Sequence, residues 1–450
     1  MKELLSYLES KSILILGFGL EGRSTYCFLI EKFPERQFTI ADRNTETCKN
    51  AIIRESDMVF SGEKYLEQVV NFDLIIKSPG IKQRDVYAIS QEVDISSQTD
   101  LMFRFFSKQC IGITGTKGKS TTSSLIYYLL NELGKEVALV GNIGKPAFDS
   151  LQNYSENSFF VYELSSHQLQ SVKHAPHYAI LLNYFQEHLD YYRDYSEYKE
   201  AKYNITKYQK AEDCFVFDAE DESIMNMIAD KKTKAKSYSF SFERISDVFV
   251  ESEKVLNMDN KVLFDMRAKR KLIGKHNEKN IMAALLLLQQ MEVETTECQN
   301  LIEKFNPLEH RLEFVVEKNG ILFYNDSIAT IPEASIAAIQ ALKKVETIIL
   351  GGFDRGISYD DLISFLVSRE EVKNIIFMGE AGERMRGILR SMKQQKKDYF
   401  VSSMEEAVVI ALENTTNANI CLLSPAASSY DKYKNFEERG RAYKKIACKD

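Results

Sequence analysis

A glycine-punctuated loop that follows an apolar strand constrains the fold of this chain more than any other feature. The segment 110–122, CIGITGTKGKSTT, predicts a strand, a loop and then a helix that begins near Lys119. Gly115 and Gly118 allow the backbone to approach oxyanions. Lys119 supplies a positive charge, and Ser120 offers a hydroxyl to Mg²⁺ at a helix N-terminus. The sequence therefore predicts a phosphate-binding loop in an α/β fold.

This loop departs from the strict Walker A pattern, G-x-x-x-x-G-K-[ST], because Ile113 stands where the first glycine would be. A tight strand-to-helix turn with an incidental lysine is the alternative interpretation. Strand, glycines, lysine–serine pair and helix nevertheless coincide here, as they do in nucleotide-binding loops. We therefore expect a nucleotide phosphate at a loop of variant type.

Apolar runs that end on glycine recur along the chain and divide it into three α/β parts. A chain of 450 residues is long for a single core, and ordinary domain sizes favour about three domains. We predict an N-terminal Rossmann-like domain over 1–100, a central P-loop-type sheet with helices over 101–307, and a C-terminal Rossmann-like domain over 308–450. Short alternating segments over about 235–275 predict a small antiparallel insertion in the central domain.

The first strand-turn-helix opening carries a second glycine motif. Gly17, Gly19 and Gly22 complete G-x-G-x-x-G after an apolar strand, and Asp42 follows about twenty residues later, where a ribose-binding acid would stand. Taken alone, this pattern proposes NAD. The same geometry binds any diphosphate at a helix N-terminus, so a nucleotide sugar fits equally well and the motif leaves the ligand open.

Composition narrows the partners and the compartment. A formal net charge of −7 gives no electrostatic reason to expect nucleic acid or an anionic membrane. The seven cysteines contain no C-x-x-C pair, which favours free thiols in a reducing compartment. Neither a leader-like start nor an apolar run long enough to span a bilayer is visible. We therefore expect a cytoplasmic protein that acts on small molecules.

Several polar residues follow strands of the central part. Glu163 ends an apolar strand, where its carboxylate would be able to hold Mg²⁺ together with Ser120, although a lone structural acid is the alternative. His188 and Asp190 lie after the next strand, and a lone histidine of this kind is more often structural. Lys202 stands on a predicted amphipathic helix, where a lysine by itself would be a solvated charge.

Taken in order, these motifs resemble the Mur ligases of peptidoglycan synthesis. The resemblance covers nearly the whole chain, and the order of the motifs is more specific than any one of them. The matching segments are Gly115 to Ser120, Gly141 to Gly144, Glu163 to Ser166, His188 to Asp190, Ala201-Lys202, His276-Asn277, His310-Arg311 and Asn325 to Ser327. The resemblance is strongest to the members that add D-glutamate, because of the segments 163–169, 325–327, 423–426 and 434–436.

The resemblance implies an activity and its cofactors. A ligase of this kind uses ATP to convert the carboxylate of UDP-N-acetylmuramoyl-L-alanine into an acyl phosphate, which the amine of D-glutamate then attacks. ATP, Mg²⁺ at two sites and a carbamylated lysine matching Lys202 are implied. The implied protein is a cytoplasmic monomer that acts on small-molecule substrates, with no nucleic acid and no membrane partner.

The resemblance also implies which residues form each site. The UDP substrate would contact Gly19, Leu20, Glu21, Asp42, Arg43, Ser78, Asn142 and His188. ATP would contact Gly115, Thr116, Lys117, Gly118, Lys119, Ser120, Thr121, Asn277, Asn280, Arg311 and Asp326. The metal ions would be held by Ser120, Glu163, His188 and Lys202, with Lys119, His188 and Lys202 as the catalytic residues. D-Glutamate would contact Thr330, Arg355, Ser429, Tyr430 and Phe436.

Two residues depart from the family pattern. The family commonly has lysine where this chain has Ile328, so one cationic contact near the reacting phosphates is absent. Where lysine often meets the glutamate carboxylate, this chain has Arg355, which would bind the carboxylate through two parallel hydrogen bonds rather than as a point charge.

Three other functions remain open at this point. A folylpolyglutamate-synthase-like ligase would share the central fold but lack a separate N-terminal nucleotide-binding domain. A nicotinamide-dependent oxidoreductase is supported only by the segment 17–22 with Asp42. A non-catalytic nucleotide sensor would use the phosphate loop without transferring a phosphoryl group.

Overall fold

The computed structural model contains three mainly parallel sheets. It describes residues 1–89, 92–153, 155–186, 191–306, 309–392 and 396–449, apart from the side chains of Cys48 and Asn153. The chain forms two compact units, one of residues 1–269 with 279–304 and the other of residues 270–278 with 305–450. In the part of the chain so described, no helix has the length and apolar character needed to cross a membrane.

The first sheet has five parallel strands in the order β3-β2-β1-β4-β5. Its strands are β1 Ile13–Leu16, β2 Thr39–Asp42, β3 Met58–Ser61, β4 Leu74–Lys77 and β5 Asp94–Ser96. Its helices are α1 Lys2–Glu9, α2 Leu20–Lys32, α3 Gln83–Tyr87 and α4 Gln98–Phe106. The strand order reverses beside β1 and β4, and ligands of open α/β sheets bind at the carboxyl ends of strands at such a reversal.

The second sheet has nine strands in the order β14-β13-β12-β11-β10-β9-β6-β8-β7. Its strands are β6 Cys110–Thr114, β7 Val137–Gly141, β8 Phe159–Glu163, β9 Tyr178–Leu181, β10 Cys214–Asp218, β11 Lys236–Ser241, β12 Val248–Glu251, β13 Lys254–Asn257 and β14 Val262–Asp265. Its helices are α5 Lys119–Glu132, α6 Ser166–Leu169, α7 Tyr195–Lys207, α8 Glu222–Lys231, α9 Lys275–Gln290 and α10 Cys298–Lys304.

The predicted antiparallel insertion is present, but it is not a separate body. Strands β12, β13 and β14 pair antiparallel to one another. They extend the second sheet at its edge, because β12 pairs parallel to β11 and β11 pairs parallel to β10. β11 lies inside the stretch predicted to be antiparallel and belongs instead to the parallel part of the sheet.

The third sheet has six strands in the order β15-β16-β20-β17-β18-β19, and all its pairings are parallel except that of β15 with β16. Its strands are β15 Glu313–Lys318, β16 Ile321–Asn325, β17 Val345–Gly351, β18 Asn374–Met378, β19 Lys397–Val401 and β20 Ile420–Leu423. Its helices are α11 Pro332–Leu342, α12 Asp360–Ser368, α13 Gly379–Ser391, α14 Met404–Asn414 and α15 Phe436–Ala447.

The α/β fold class predicted from the sequence is confirmed, and each of the three predicted parts contains its own sheet. The first two sheets share one continuous apolar core. Phe28 of α2, for example, lies 4.7 Å from Phe148 between ring centroids. The boundaries near residues 100 and 307 remain a prediction, and residue 307 lies outside the described residues.

Candidate functional site

The predicted phosphate loop joins β6 to α5 and is held in one shape by its neighbours. Gly118 has φ +84°, and a Cβ atom there would lie 2.5 Å from the side-chain oxygen of Asn280, so only glycine fits. The backbone N–H groups of Thr116 and Lys117 donate to Oδ1 of Asn183 at 3.1 and 2.8 Å. Asn183, which sequence reasoning did not assign, thereby fixes the loop in front of the α5 N-terminus.

Two lysine side chains converge on the backbone of this loop. Lys119 donates from Nζ to the carbonyl oxygen of Thr116 at 2.9 Å. Lys202, from α7, is 2% exposed and donates from Nζ to the carbonyl oxygen of Gly115 at 2.8 Å. Its Nζ also lies 4.8 Å from the ring centroid of Tyr198. The structure therefore places Lys202 inside the protein, in contrast to the solvated position that its helix alone would suggest.

Glu163 lies beside the phosphate loop because β8 is the neighbour of β6, with Glu163 in register with Ile113. Its side chain is fully buried. One carboxylate oxygen, Oε1, accepts a hydrogen bond from Nδ2 of Asn142 at 2.8 Å. The other, Oε2, is buried and has no hydrogen-bond partner among the described residues. A buried carboxylate oxygen without a partner is unusual in a folded protein and fits a site for a cation.

The other predicted metal ligands are distributed unevenly. Ser120 lies in the first turn of α5, directly after Lys119, and Lys202 of α7 donates to the loop as described above. His188 and Asp190 lie outside the described residues. Among the residues that are described, no cluster of three or more His, Cys, Asp or Glu side chains forms a metal site. Of the predicted metal ligands, the described residues are therefore Ser120, Glu163 and Lys202.

The first sheet gathers its predicted residues at the β1–β4 reversal. Asp42 accepts hydrogen bonds on its carboxylate from the backbone N–H groups of Phe18 and Asn44. Ser78 donates from Oγ to the carbonyl oxygen of Gly17 at 2.9 Å. These contacts hold the glycine motif beside the start of α2. Gly19 caps that helix, Leu20 is 79% exposed, and Arg43 is exposed beside Asp42.

Glu21 connects the first sheet to the second. Its Oε1 accepts a hydrogen bond from Nε2 of Gln168 at 2.7 Å, and its Oε2 is buried without a partner among the described residues. Burial raises the pKa of Glu21, and the hydrogen bond from Gln168 and the charge of Lys77 oppose that rise. Gln168 also accepts from Ser165 as part of a capping box at the start of α6. Sequence analysis did not single out Gln168 as a connecting residue.

The remaining predicted ATP residues, apart from Asn280, lie in the second unit. Asn277 donates from Nδ2 to the carbonyl oxygen of Ile273 at 2.7 Å. Asp326 follows β16 and is buried, with Oδ2 accepting from Oγ of Ser424 at 2.8 Å. Burial raises the pKa of Asp326 to about 7, opposed by that hydrogen bond and by the charge of Arg311. The charge of Arg311 thus acts on the carboxyl group of Asp326 within this unit.

The raised pKa of Asp326 predicts a pH-dependent stability. Because the folded pKa is about 7 and the unfolded value is 3.8, folding favours the protonated carboxyl, and this contribution is lost as pH rises from about 4 through 7. Asparagine does not ionise, so Asp326→Asn does not lose this contribution. The unfolding free energy of the variant, relative to that of the wild type, should therefore rise by up to about 3 kcal/mol between pH 5 and pH 8. Thermal unfolding at the two pH values measures it.

The control for this prediction is Asp361→Asn, which changes an exposed carboxylate on α12 of the same unit. Its difference from wild type should stay constant over the same pH range. An equally constant difference for Asp326→Asn would contradict the prediction.

Four of the residues predicted to surround the amino-acid substrate lie on loops that follow strands of the third sheet, and the fifth begins α15. Arg355 donates from Nη2 to the carbonyl oxygen of Thr330 at 2.8 Å. Ser429 is buried, whereas Tyr430 is 69% exposed. Phe436 begins α15, and its ring lies edge-on to His310 at 6.2 Å between centroids. Because β16, β17 and β20 are parallel neighbours, their following loops meet at the same edge.

Comparison with known proteins places this chain among amino-acid ligases. The Mur ligase middle domain matches residues 113–288, and the Mur ligase glutamate ligase domain matches residues 310–427. The chain is 32% identical to the UDP-N-acetylmuramoylalanine–D-glutamate ligase of Thermoanaerobacter sp. strain X514, over 98% of this chain and 99% of the relative. It is also 32% identical to the ligase of the same name from Listeria monocytogenes serotype 4b, over 98% and 97%.

A solved structure has the same fold at lower sequence similarity. The MurF ligase of Thermotoga maritima, in complex with ADP, superposes with a TM-score of 0.61 at 16% identity, over 99% of both chains. At this identity the similarity supports the fold alone.

Proposed function

The chain belongs to the Mur ligase family, and we propose on that premise that it uses ATP to join D-glutamate to UDP-N-acetylmuramoyl-L-alanine. Ligases of that name align with it over nearly their whole length. The observation in the structure that carries the proposal is that Lys119 and Lys202 both donate to the backbone of one phosphate loop, and that the buried carboxylate of Glu163 lies on the strand paired with the strand before that loop. That arrangement suits phosphoryl transfer, and hydride transfer by a nicotinamide-dependent oxidoreductase would not use it.

The first step transfers the γ-phosphoryl group of ATP to the L-alanyl carboxylate, forming an acyl phosphate and ADP. Negative charge spreads over the transferring oxygens in the transition state. Lys119 and the N-terminus of α5 stabilise that charge by position rather than by covalent chemistry. For Lys119 this requires its ammonium to turn from the Thr116 carbonyl toward the phosphate.

Mg²⁺ bound at Ser120 and Glu163 would neutralise part of the charge on the phosphates. Glu163 suits this role because its Oε2 is buried without a partner in the described part of the chain, while Asn142 holds Oε1 in place. We predicted Asn142 to face the muramoyl substrate, and its side-chain amide also orients Glu163. His188 would contribute to the second metal ion and to the substrate.

In the second step the amine of D-glutamate attacks the acyl carbon, the C–N bond forms, and inorganic phosphate leaves with the electron pair of the broken C–O bond. Thr330, Arg355, Ser429, Tyr430 and Phe436 would hold the amino acid. Arg355 remains able to form two parallel hydrogen bonds to a carboxylate, since its one hydrogen bond among the described residues is from Nη2 to Thr330.

The UDP part of the substrate would bind at the first sheet. Gly19, Leu20 and Glu21 would lie near the diphosphate, Asp42 and Arg43 near the uracil, and Ser78 at the end of β4. On the ATP side, Asn277 and Asn280 would contact the adenine, Arg311 a phosphate and Asp326 the ribose. We further propose that the protein acts as a monomer in the cytoplasm, without nucleic acid or membrane.

Lys202 would act as a carbamate. An ammonium beside a divalent cation would be repelled, whereas the carbamate formed with CO₂ carries a negative charge like that of a carboxylate. The carbamate nitrogen keeps one N–H, which would still donate to the carbonyl oxygen of Gly115 that now accepts from Nζ. Its two oxygens would then be free for a metal ion.

Release of inorganic phosphate tests the proposed function. The wild-type protein should release phosphate only when ATP, UDP-N-acetylmuramoyl-L-alanine and D-glutamate are all present, and L-glutamate should not replace the D isomer. NADH absorbance should stay constant when the same substrates are mixed with the cofactor. Phosphate release without the UDP substrate would favour a folylpolyglutamate-type ligase instead.

A further inference from the structure

Arg439, on the first turns of α15, is a buried cation that the proposed mechanism does not use. Its side chain is 2% exposed, although arginine is among the residues least often buried. Burial lowers its pKa to about 10, which leaves the guanidinium charged at neutral pH. All four of its hydrogen bonds in the described part of the chain go to uncharged oxygens.

These hydrogen bonds join three loops of the third sheet. Nε donates to Oγ of Ser327 at 3.0 Å, and Nη2 donates to the carbonyl oxygen of the same residue at 2.8 Å, in the loop after β16. Nη1 donates to the carbonyl oxygen of Ala427 at 3.0 Å, after β20, and to that of Gly351 at 3.5 Å, at the end of β17. Since β16, β20 and β17 are neighbours, one guanidinium spans three consecutive strand ends.

Each of these loops carries a residue assigned above to the amino-acid site. Thr330 lies three residues after Ser327, Arg355 lies four residues after Gly351, and Ser429 lies two residues after Ala427. A fourth such residue, Phe436, is joined to the same group because Oγ of Ser327 donates to its carbonyl oxygen at 2.8 Å. The planar fork of arginine can reach acceptors in several directions at once, whereas a lysine ammonium is a single point.

The backbone around Arg439 leaves little room for another arrangement. A Cβ atom on Gly352 would lie 3.1 Å from Nη1 of Arg439 and 2.2 Å from the carbonyl oxygen of Ser428, so the loop after β17 packs directly on the guanidinium. Among the described residues no carboxylate accepts a hydrogen bond from Arg439, and the charges of Asp431 and Tyr433 offset only part of the effect of burial on its pKa, so the buried charge is costly. A role of the charge and of the planar fork at the ligand-binding loops would account for that cost.

We propose that Arg439 is a positioning residue for the amino-acid substrate: it sets the three loops that bind D-glutamate and adds positive potential beneath them. This inference rests on the proposed function. Arg439 does not touch the substrate. It acts through Ser327, through the backbone of the loops after β17 and β20, and through the first residue of α15.

Kinetics of Arg439→Lys test this proposal. The variant keeps the charge but loses the fork, so the KM for D-glutamate should rise at least tenfold. The KM for UDP-N-acetylmuramoyl-L-alanine should stay within twofold, because the predicted contacts to that substrate lie in the other unit. The matched control is Arg441→Lys, an exposed arginine on the same helix, which should leave both values unchanged.

Ser327→Ala provides a second variant that disturbs folding less. It removes the hydroxyl that links Arg439 to Phe436, and we expect a rise in the KM for D-glutamate of about threefold. The double variant should be no worse than Arg439→Lys alone, because both changes break the same connection. A purely structural role would instead lower kcat in proportion to the folded fraction and leave every KM unchanged.

The failures of the two proposals are distinguishable. An unchanged KM for D-glutamate in folded Arg439→Lys, or in Ser327→Ala if the first variant does not fold, would overturn the role of Arg439 while an active wild type upholds the function. If the wild type accepts another amino acid, the same comparison is made with that amino acid. A wild type without any ligase activity would overturn both proposals.

Discussion

Replacement of Lys202 by alanine is expected to lower the rate of ATP-dependent phosphate release by at least about 100-fold, the size of effect seen when one charge-stabilising group is removed from an active site. Lys202 is buried, and its Nζ lies 2.8 Å from the carbonyl oxygen of Gly115 in the phosphate loop. Alanine cannot be carbamylated, so bicarbonate should give no recovery. The steady-state rate with all three substrates measures the loss.

A spectroscopic measurement separates the carbamate from the lysine itself. With ¹³C-labelled bicarbonate, the wild type should show a protein carbamate signal in its NMR spectrum, and Lys202→Ala should lack it. The matched control is Lys207→Ala, which changes an exposed lysine at the end of the same helix and should keep both the signal and the activity. Full activity of Lys202→Ala would exclude a catalytic role. An inactive variant and a wild type without the signal would assign the role to the ammonium instead.

The elements that the sequence predicts best are those coded locally. The phosphate loop follows from adjacent residues, because a strand, two glycines and a lysine–serine pair before a helix leave few other backbone shapes. The β-α-β opening at residues 12–42 follows for the same reason. The apolar run at 281–288 predicts a buried helix, and α9 buries all of it in the first unit. Periodicity and glycine spacing act over short distances, so they can be read without the fold.

Residues that act across the fold give no such local signal. Asn183 and Thr116 are 67 residues apart in sequence, Gln168 and Glu21 are 147 apart, and Arg439 and Ser327 are 112 apart. An asparagine, a glutamine or an arginine is usually a solvated side chain, and only the packing of the strands and helices brings these partners together. The burial of Lys202 belongs here too, because α7 alone predicts a solvated lysine and the packing of α7 beside the loop hides it.

Glu163 shows where a residue is predictable but its environment is not. Its place at the end of an apolar strand suggests a metal ligand or a lone structural acid. The pairing of β8 with β6 brings the carboxylate to the phosphate loop, and Asn142 occupies one of its oxygens. The other oxygen, left without a partner among the described residues, is what favours the metal ligand.

Glu163→Gln should therefore separate activity from stability. Without a metal ion, the carboxylate of Glu163 is fully buried and one of its oxygens has no partner among the residues described, which is costly for a charged group. Glutamine removes the charge, and its side-chain oxygen can still accept from Asn142. The variant should melt at the wild-type temperature or higher in the absence of nucleotide. Its rate of phosphate release should fall by at least about 100-fold, since a neutral amide binds Mg²⁺ weakly.

Ligand-dependent stability gives this prediction a readout besides activity. A ligand that binds only the folded state raises the melting temperature more when it binds more tightly, so Mg²⁺ with an ATP analogue should stabilise the wild type more than Glu163→Gln. The control is Glu132→Gln, which changes an exposed carboxylate at the end of α5 and should behave as the wild type. A loss of more than about 2 kcal/mol of stability in Glu163→Gln would indicate that a protein group needs the charge. If Mg²⁺ with the analogue stabilises Glu163→Gln as much as it stabilises the wild type, Glu163 is not a metal ligand, because the cation is then held without its carboxylate.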